Sequence, residues 1–195
     1  RIIRNIFDKE DIKSGNDVEP LIRIMSLLLL LEKPSWNISI ESKKKYFENI
    51  TNEYFKQRSE DGILLHTNSN MNKPIIWWGS YLGFFAVSGS EKYIINPFKL
   101  IGWFLTDIFR NEKEMKITDF IKKLNDIIPV FDGGKYQIWC RKEIKRQNSS
   151  WKPKEQSYVT STLSNALFSL EILNKIKLIK KDDSLSLLTL DLPGK

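Results

Sequence analysis

A chain of 195 residues, 41% hydrophobic and 12% aromatic, can form one large or two small domains with a real core, which excludes wholesale disorder. Its net charge of +7 is lopsided: residues 1–97 carry 13 Lys/Arg against 12 Asp/Glu, and residues 98–195 carry 18 against 12. A basic second half points to an anionic partner, either nucleic acid or an acidic protein face, with plain solubility as the competing account.

In chain order, residues 1–16 alternate charged and apolar side chains and read as an arm or short helix. Asn16 or Asp17 can cap a helix with Pro20 in its first turn, stopped near Lys33 by Pro34. Its core positions are Leu21, Ile24, Met25, Leu28 and Leu31. The apolar run at 21–31 carries Arg23 and is far shorter than the roughly 20 residues a membrane span needs, so it reads as a buried core helix. Ser39 or Ser42 can open a second helix to about Arg58, with Tyr46, Phe47, Ile50, Tyr54 and Phe55 on its apolar face. Lys43, Lys44 and Lys45 then sit at the end of that helix which the dipole disfavours for cations.

Residues 66–74 are a polar loop, and 75–82 (IIWWGSYL) read as a short helix. Residues 83–88 and 93–96 read as two strands around a Gly-Ser-Glu-Lys turn, a possible wing. Asn96-Pro97 opens a helix over 98–110, with Leu100, Ile101, Phe104, Leu105 and Ile108 inward. Residues 117–127 form another helix, capped by Thr118. Asp132-Gly133-Gly134 reads as a hairpin turn between PVF and KYQIW, since Gly supplies the positive φ of tight turns. Residues 160–175 are helical by period, with Leu163, Leu167, Leu170 and Leu173 in one stripe. Two runs rich in Ile and Leu then flank a polar Lys-Lys-Asp-Asp-Ser turn, as at the end of a winged helix. The expected fold is therefore α+β and mostly helical, with tandem winged-helix-like units bearing short β-hairpin wings. The first unit covers 17–96 and the second 97–192, after the arm at 1–16.

Catalytic chemistry leaves few traces. His66 is the only histidine and Cys140 the only cysteine, so no disulfide forms within the chain, and a zinc set would need several carboxylates. Cys140 has no second histidine as its base and reads as a buried structural thiol. No phosphate loop or dinucleotide fingerprint occurs. The expectation is a protein that is not an enzyme, with no metal and no small-molecule cofactor. No secretory signal pattern is present near Arg1, so a cytoplasmic location is expected; the absence of an initiating Met leaves room for residues upstream.

Binding leaves more. Residues 141–154 (RKEIKRQNSSWKPK) hold six basic residues and one acid, and read as a loop lying across a phosphate backbone. The residues expected to touch DNA there are Arg141, Lys142, Lys145, Arg146, Lys152 and Lys154; a solvated linker is the alternative. In the last helix the outward positions are taken as Ser161, Thr162, Ser164, Asn165 and Glu171, of which only Asn165 is a strong base reader. That argues against sequence-specific operator binding. Lys180 and Lys181 would let the wing touch a backbone. The aromatics Trp77, Trp78, Phe84, Phe85 and Trp103 fall in or beside adjacent pairs that cannot all face one core, so some are expected at a partner surface.

Three blocks carry a family resemblance: WWGSYLGFFAVSGSEKYIINPFKLI, PVFDGGKYQIW and LSNALFSLEILNKIKLIKKDDSLSLLTL, within residues 77–190. Together they resemble the DpdG family, from bacterial gene clusters of 7-deazaguanine DNA modification and restriction. Asn96 stands where that pattern has an acid before Pro97. The resemblance implies an accessory role in a DNA-targeting defence system and carries over no catalytic residue. The resulting expectation is a non-enzymatic subunit of an anti-phage or restriction assembly. It would bind double-stranded DNA without sequence preference and dock a larger catalytic or ATPase subunit. The alternatives are a pure interaction module linking an SMC-like ATPase to its effector, and a transcriptional regulator.

Overall fold

The computed structural model describes residues 6–7, 19–31, 35–37, 46–55, 72–88, 92–110, 112–152 and 159–179. Helix α1 (Glu19–Leu30) is followed by strand β1 (Ser35–Asn37) and helices α2 (Tyr46–Tyr54) and α3 (Asn72–Tyr81). Strands β2 (Phe85–Ser88) and β3 (Lys92–Ile95) come next, then helices α4 (Phe98–Phe109), α5 (Ile117–Ile127), α6 (Lys135–Gln147) and α7 (Ser161–Ile172). The fold is mostly helical, with one three-stranded antiparallel sheet in the order β1-β3-β2. Phe85 lies opposite Ile95 and Val87 opposite Tyr93, while β1 pairs from the other side, Ser35 with Ile94.

Helix α1 is apolar nearly all round, and every residue from Ile22 to Leu30 is buried. A helix without a polar face must be covered on all sides, and α1 packs on α6 and α7 of the second half of the chain. Arg23 is 0% exposed, and its guanidinium lies over the Trp139 ring of α6 at 3.8 Å from the centroid. Stacking a cation on a ring face offsets part of its desolvation. Trp139 also stacks on Phe55 just after α2, with centroids 5.7 Å apart. Ser26 of α1 donates to the Val130 carbonyl, and Asn96 after β3 donates to Ser169 of α7 at 2.9 Å. One continuous core therefore joins residues of both halves.

Helices α3, α4 and α5 lie where periodicity and the Asn96-Pro97 start place them, as do β2 and β3. Four expectations are corrected. Asp132-Gly133-Gly134 does not join two strands; it leads into α6, with Gly134 as the residue before the helix. KYQIW has an alternating look, but Tyr136, Trp139, Cys140, Glu143 and Ile144 are buried at helical spacing. Residues 141–147 are accordingly helix, not loop. Thr118 does not cap α5, whose N-cap is Lys116 with no side-chain hydrogen bond. In α7, Thr162 and Ser164 are buried rather than outward, because their short hydroxyl side chains fit a tightly packed helix. Strand β1, only three residues directly after Pro34, is too short to leave a periodic signal in the sequence.

The turn ending α7 has a clear physical cause. Asn174 adopts φ +54°, the Lys175 N–H donates to Leu170 O and the Asn174 N–H to Glu171 O. That is the paired closure of a helix by a left-handed residue. Residues 176–179 that follow form no strand, and the remainder of the expected second wing, with Lys180 and Lys181, lies outside the described residues. So do His66, Lys43, Lys44, Lys45 and Lys154.

Candidate nucleic-acid interface

Helix α6 buries one side and presents another. Lys135, Ile138, Lys142, Lys145 and Ser149 recur every three or four residues and all are exposed. They make one stripe along the helix and the turn after it. Lys135 to Lys145 spans about 15 Å at 1.5 Å per residue, and a DNA duplex carries about one charge per 1.7 Å of axis. A row of this length can face several phosphates.

The other basic residues of this segment divide by their contacts. Arg146 is exposed, and its Nε donates to the buried Glu143 carboxylate at 3.0 Å. Arg141 is half-buried, and its Nε donates to Gln137 Oε1 at 3.3 Å. Lys152 is exposed beyond the end of α6. Charge thus continues from the helix into the turn. Asn165 of α7 is half-buried.

A hydrogen-bond hub fixes the direction in which α6 points. Gln137 Nε2 donates to Asp132 Oδ1 at 2.7 Å. The Thr160 N–H and Oγ1 both donate to Asp132 Oδ2 at 3.0 Å, and Asn125 Nδ2 donates to the Asp132 carbonyl at 2.7 Å. Thr160 Oγ1 in turn accepts from the Leu163 N–H and caps α7. The Asp132 carboxylate therefore ties the starts of α6 and α7 together, and the main-chain carbonyl of the same residue holds the end of α5. Its burial raises the Asp132 pKa above the ordinary carboxylate value, against the lowering effect of Gln137, Thr160 and Arg141. The depression beside this hub, about 410 Å³, has Lys122 and Lys135 but also Asp126 and Asp132 on its walls, so it is not an anion pocket. Cys140, on the buried side of α6, has its thiol pushed up to about 12 by burial and donates weakly to the Arg23 carbonyl. It is protonated at neutral pH, so it is a packing residue.

The aromatic residues separate into two groups. Phe84 and Phe85 are buried in the core and do not form a partner surface. Trp77, Trp78 and Trp103 are 75%, 49% and 54% exposed, and Tyr81, which sequence reasoning misses, is 62% exposed. The signal that could have found it is position: Tyr81 lies one turn after Trp77 on the same face of α3.

Among the described residues no group of His, Cys, Asp and Glu is placed to hold a metal ion, and no helix is long and apolar enough to cross a membrane. A family model described as DpdG-like matches residues 1–184. No curated protein and no solved structure matches the chain.

Proposed function

The chain belongs to the DpdG-like family, and on that premise we propose that it is a non-enzymatic accessory subunit that holds duplex DNA by its backbone within a bacterial modification and restriction assembly. Membership associates the chain with an accessory role in a DNA-modification cluster. The contact surface is the exposed row Lys135, Lys142 and Lys145, with Lys152 beyond the end of the helix, supported by Arg141 and Arg146. The observation that carries this reading is the regular exposure of Lys135, Lys142 and Lys145 along one side of α6. Lysines in a row neutralise phosphates and release counterions without reading bases.

The first half of the chain supports the same reading. Its order, helix–strand–helix–helix–strand–strand with β1 paired to β3, is that of a winged helix, a module of DNA-binding and subunit-contact proteins. On its third helix, where such proteins place base-reading side chains, the exposed residues are Lys73, Pro74, Trp77, Trp78 and Tyr81. Among the described side chains of that face, Lys73 is the one type that pairs with base edges in the major groove, and Arg, Asn and Gln are absent. This argues against a sequence-specific regulator. Docking to a larger catalytic or ATPase subunit completes the proposal.

Substituting Lys142→Glu, Lys145→Glu and Lys152→Glu together tests it. Affinity for duplexes of unrelated sequence should fall in parallel, and the slope of log K against log salt should flatten by about 0.9 for each phosphate no longer neutralised. Arg146 is left intact because Glu143 depends on it. Unchanged duplex binding would remove α6 as the interface. A second reading places an acidic protein on the same row, and a complex that survives nuclease treatment while duplex binding is absent would favour it.

A further inference from the structure

We propose that the aromatic face of α3 and α4 binds an unpaired DNA strand by base stacking, on a surface separate from the lysine row of α6. Every outward position of α3 from Lys73 onward is Lys, Pro or a large aromatic, whereas Ile75, Ile76 and Gly79 face inward. Trp77 stands one turn after Lys73, and Tyr81 one turn after Trp77. Trp78 meets Tyr81 edge-on with ring centroids 5.8 Å apart, which leaves a ring face open. Trp103 of α4 is also exposed and lies close to the end of α3. Its ring packs over Gly83, where an added Cβ would come within 3.2 Å of it and within 2.8 Å of the Leu100 nitrogen. Lys99, exposed, precedes Trp103 by one turn as Lys73 precedes Trp77.

The pairing of a cation with an aromatic, repeated on two adjoining segments, selects the occupant. Single strands are bound by aromatic rings that stack on bases, beside basic groups that follow the phosphates. A B-form duplex hides its base faces, and indole and phenol rings are poor readers of its groove edges. A protein partner would account for the aromatics but not for the lysines, because Lys is depleted in protein interfaces. The nearest acid on α4, Asp107, lies one turn beyond Trp103, at the far end from Lys99. Composition by itself points these rings toward a protein partner; the exposed lysine one turn before each of Trp77 and Trp103 is what redirects them to nucleic acid.

The test uses the full chain and a fluorescein-labelled oligodeoxythymidine of about 16 nucleotides, the upper range of known single-strand sites. Thymidine homopolymer has no duplex form of its own. Trp77→Ala and Trp78→Ala should each weaken binding roughly 5-fold or more, the scale of one lost base stack. Lys73→Glu should weaken it and flatten its salt dependence. None of the three should change binding to a duplex, while the α6 charge reversals should show the opposite pattern, so the two proposals fail separately. Thermal unfolding of each variant checks that it folds; the high exposure of Trp77 makes its removal the least disruptive. Single-strand binding that is absent, or that is indifferent to Trp77→Ala, Trp78→Ala and Lys73→Glu, overturns the proposal. So does a variant that loses a co-purifying protein while keeping its oligonucleotide.

Discussion

Asp132 shows what single residues contribute here. Its carboxylate collects donors from Gln137 and Thr160, yet burial is the larger influence and raises its pKa. A carboxyl raised in the folded state binds more protons folded than unfolded between the two pKa values. Its contribution to stability is therefore present below the unfolded value and lost as pH rises through the folded one. Stability of the wild-type chain should decline as pH rises from the ordinary carboxylate value through the raised one, and Asp132→Asn should remove that part of the decline. Denaturant unfolding at a series of pH values checks it; an unchanged slope in Asp132→Asn would exclude this residue as the source. The two glycines beside it differ in kind. Gly133 has φ +78° and open space around it, so Gly133→Ala should cost about 1 kcal/mol for backbone strain alone. At Gly134 an added Cβ would come within 2.6 Å of the Pro129 carbonyl and collide with Asn125, so Gly134→Ala should cost more, about 1–3 kcal/mol. Equal costs in unfolding experiments would contradict the close approach. Sequence reasoning finds the positive φ of this loop but assigns it to a hairpin, because a glycine pair serves a turn into a helix equally well.

Among the elements, α6 is the hardest to read and matters most. Its local letters alternate like a strand, and only the burial of Tyr136, Trp139, Cys140, Glu143 and Ile144 exposes the helical period. The polar member Glu143 blurs that period in a sequence, because a buried carboxylate looks like a surface one until its partner Arg146 is placed. By contrast α4 and α5 combine clean apolar stripes with Pro97 as a start, and are legible to within a residue or so. Trp139 anchors α6 through Arg23 and Phe55. Trp139→Ala should therefore destabilise the chain by about 3–5 kcal/mol, in the range of large aromatic truncations. A loss below about 1 kcal/mol in denaturant unfolding would show that α6 does not depend on this packing. The lysine row is visible as composition before its geometry is known. Composition does not supply the helix that turns scattered basic residues into a straight stripe, or the bonds by which Arg141 meets Gln137 and Arg146 meets Glu143.

At the scale of the molecule, α1 belongs by order to the first half and by packing to both. Helix–strand order makes two units legible, but the wrap of α1 against α6 and α7 depends on residues more than a hundred positions apart, such as Ser26 with Val130 and Arg23 with Cys140. No local pattern encodes those. A shared core of this kind should unfold as one unit: calorimetric and van't Hoff enthalpies should agree in a single transition. Two resolved transitions would mean that the halves are energetically independent. Exposed lysines lie along α6 and exposed aromatics on α3 and α4. The role proposed for this DpdG-like chain is to hold duplex DNA by the sugar-phosphate backbone. Fluorescence anisotropy of the full chain with a ~30-base-pair duplex, at ~50 and ~200 mM salt, tests it most directly. Binding should ignore sequence and weaken roughly a hundredfold over that range, as expected for about four phosphate contacts. Absence of binding at the lower salt, or affinity that holds steady as salt rises, would contradict it.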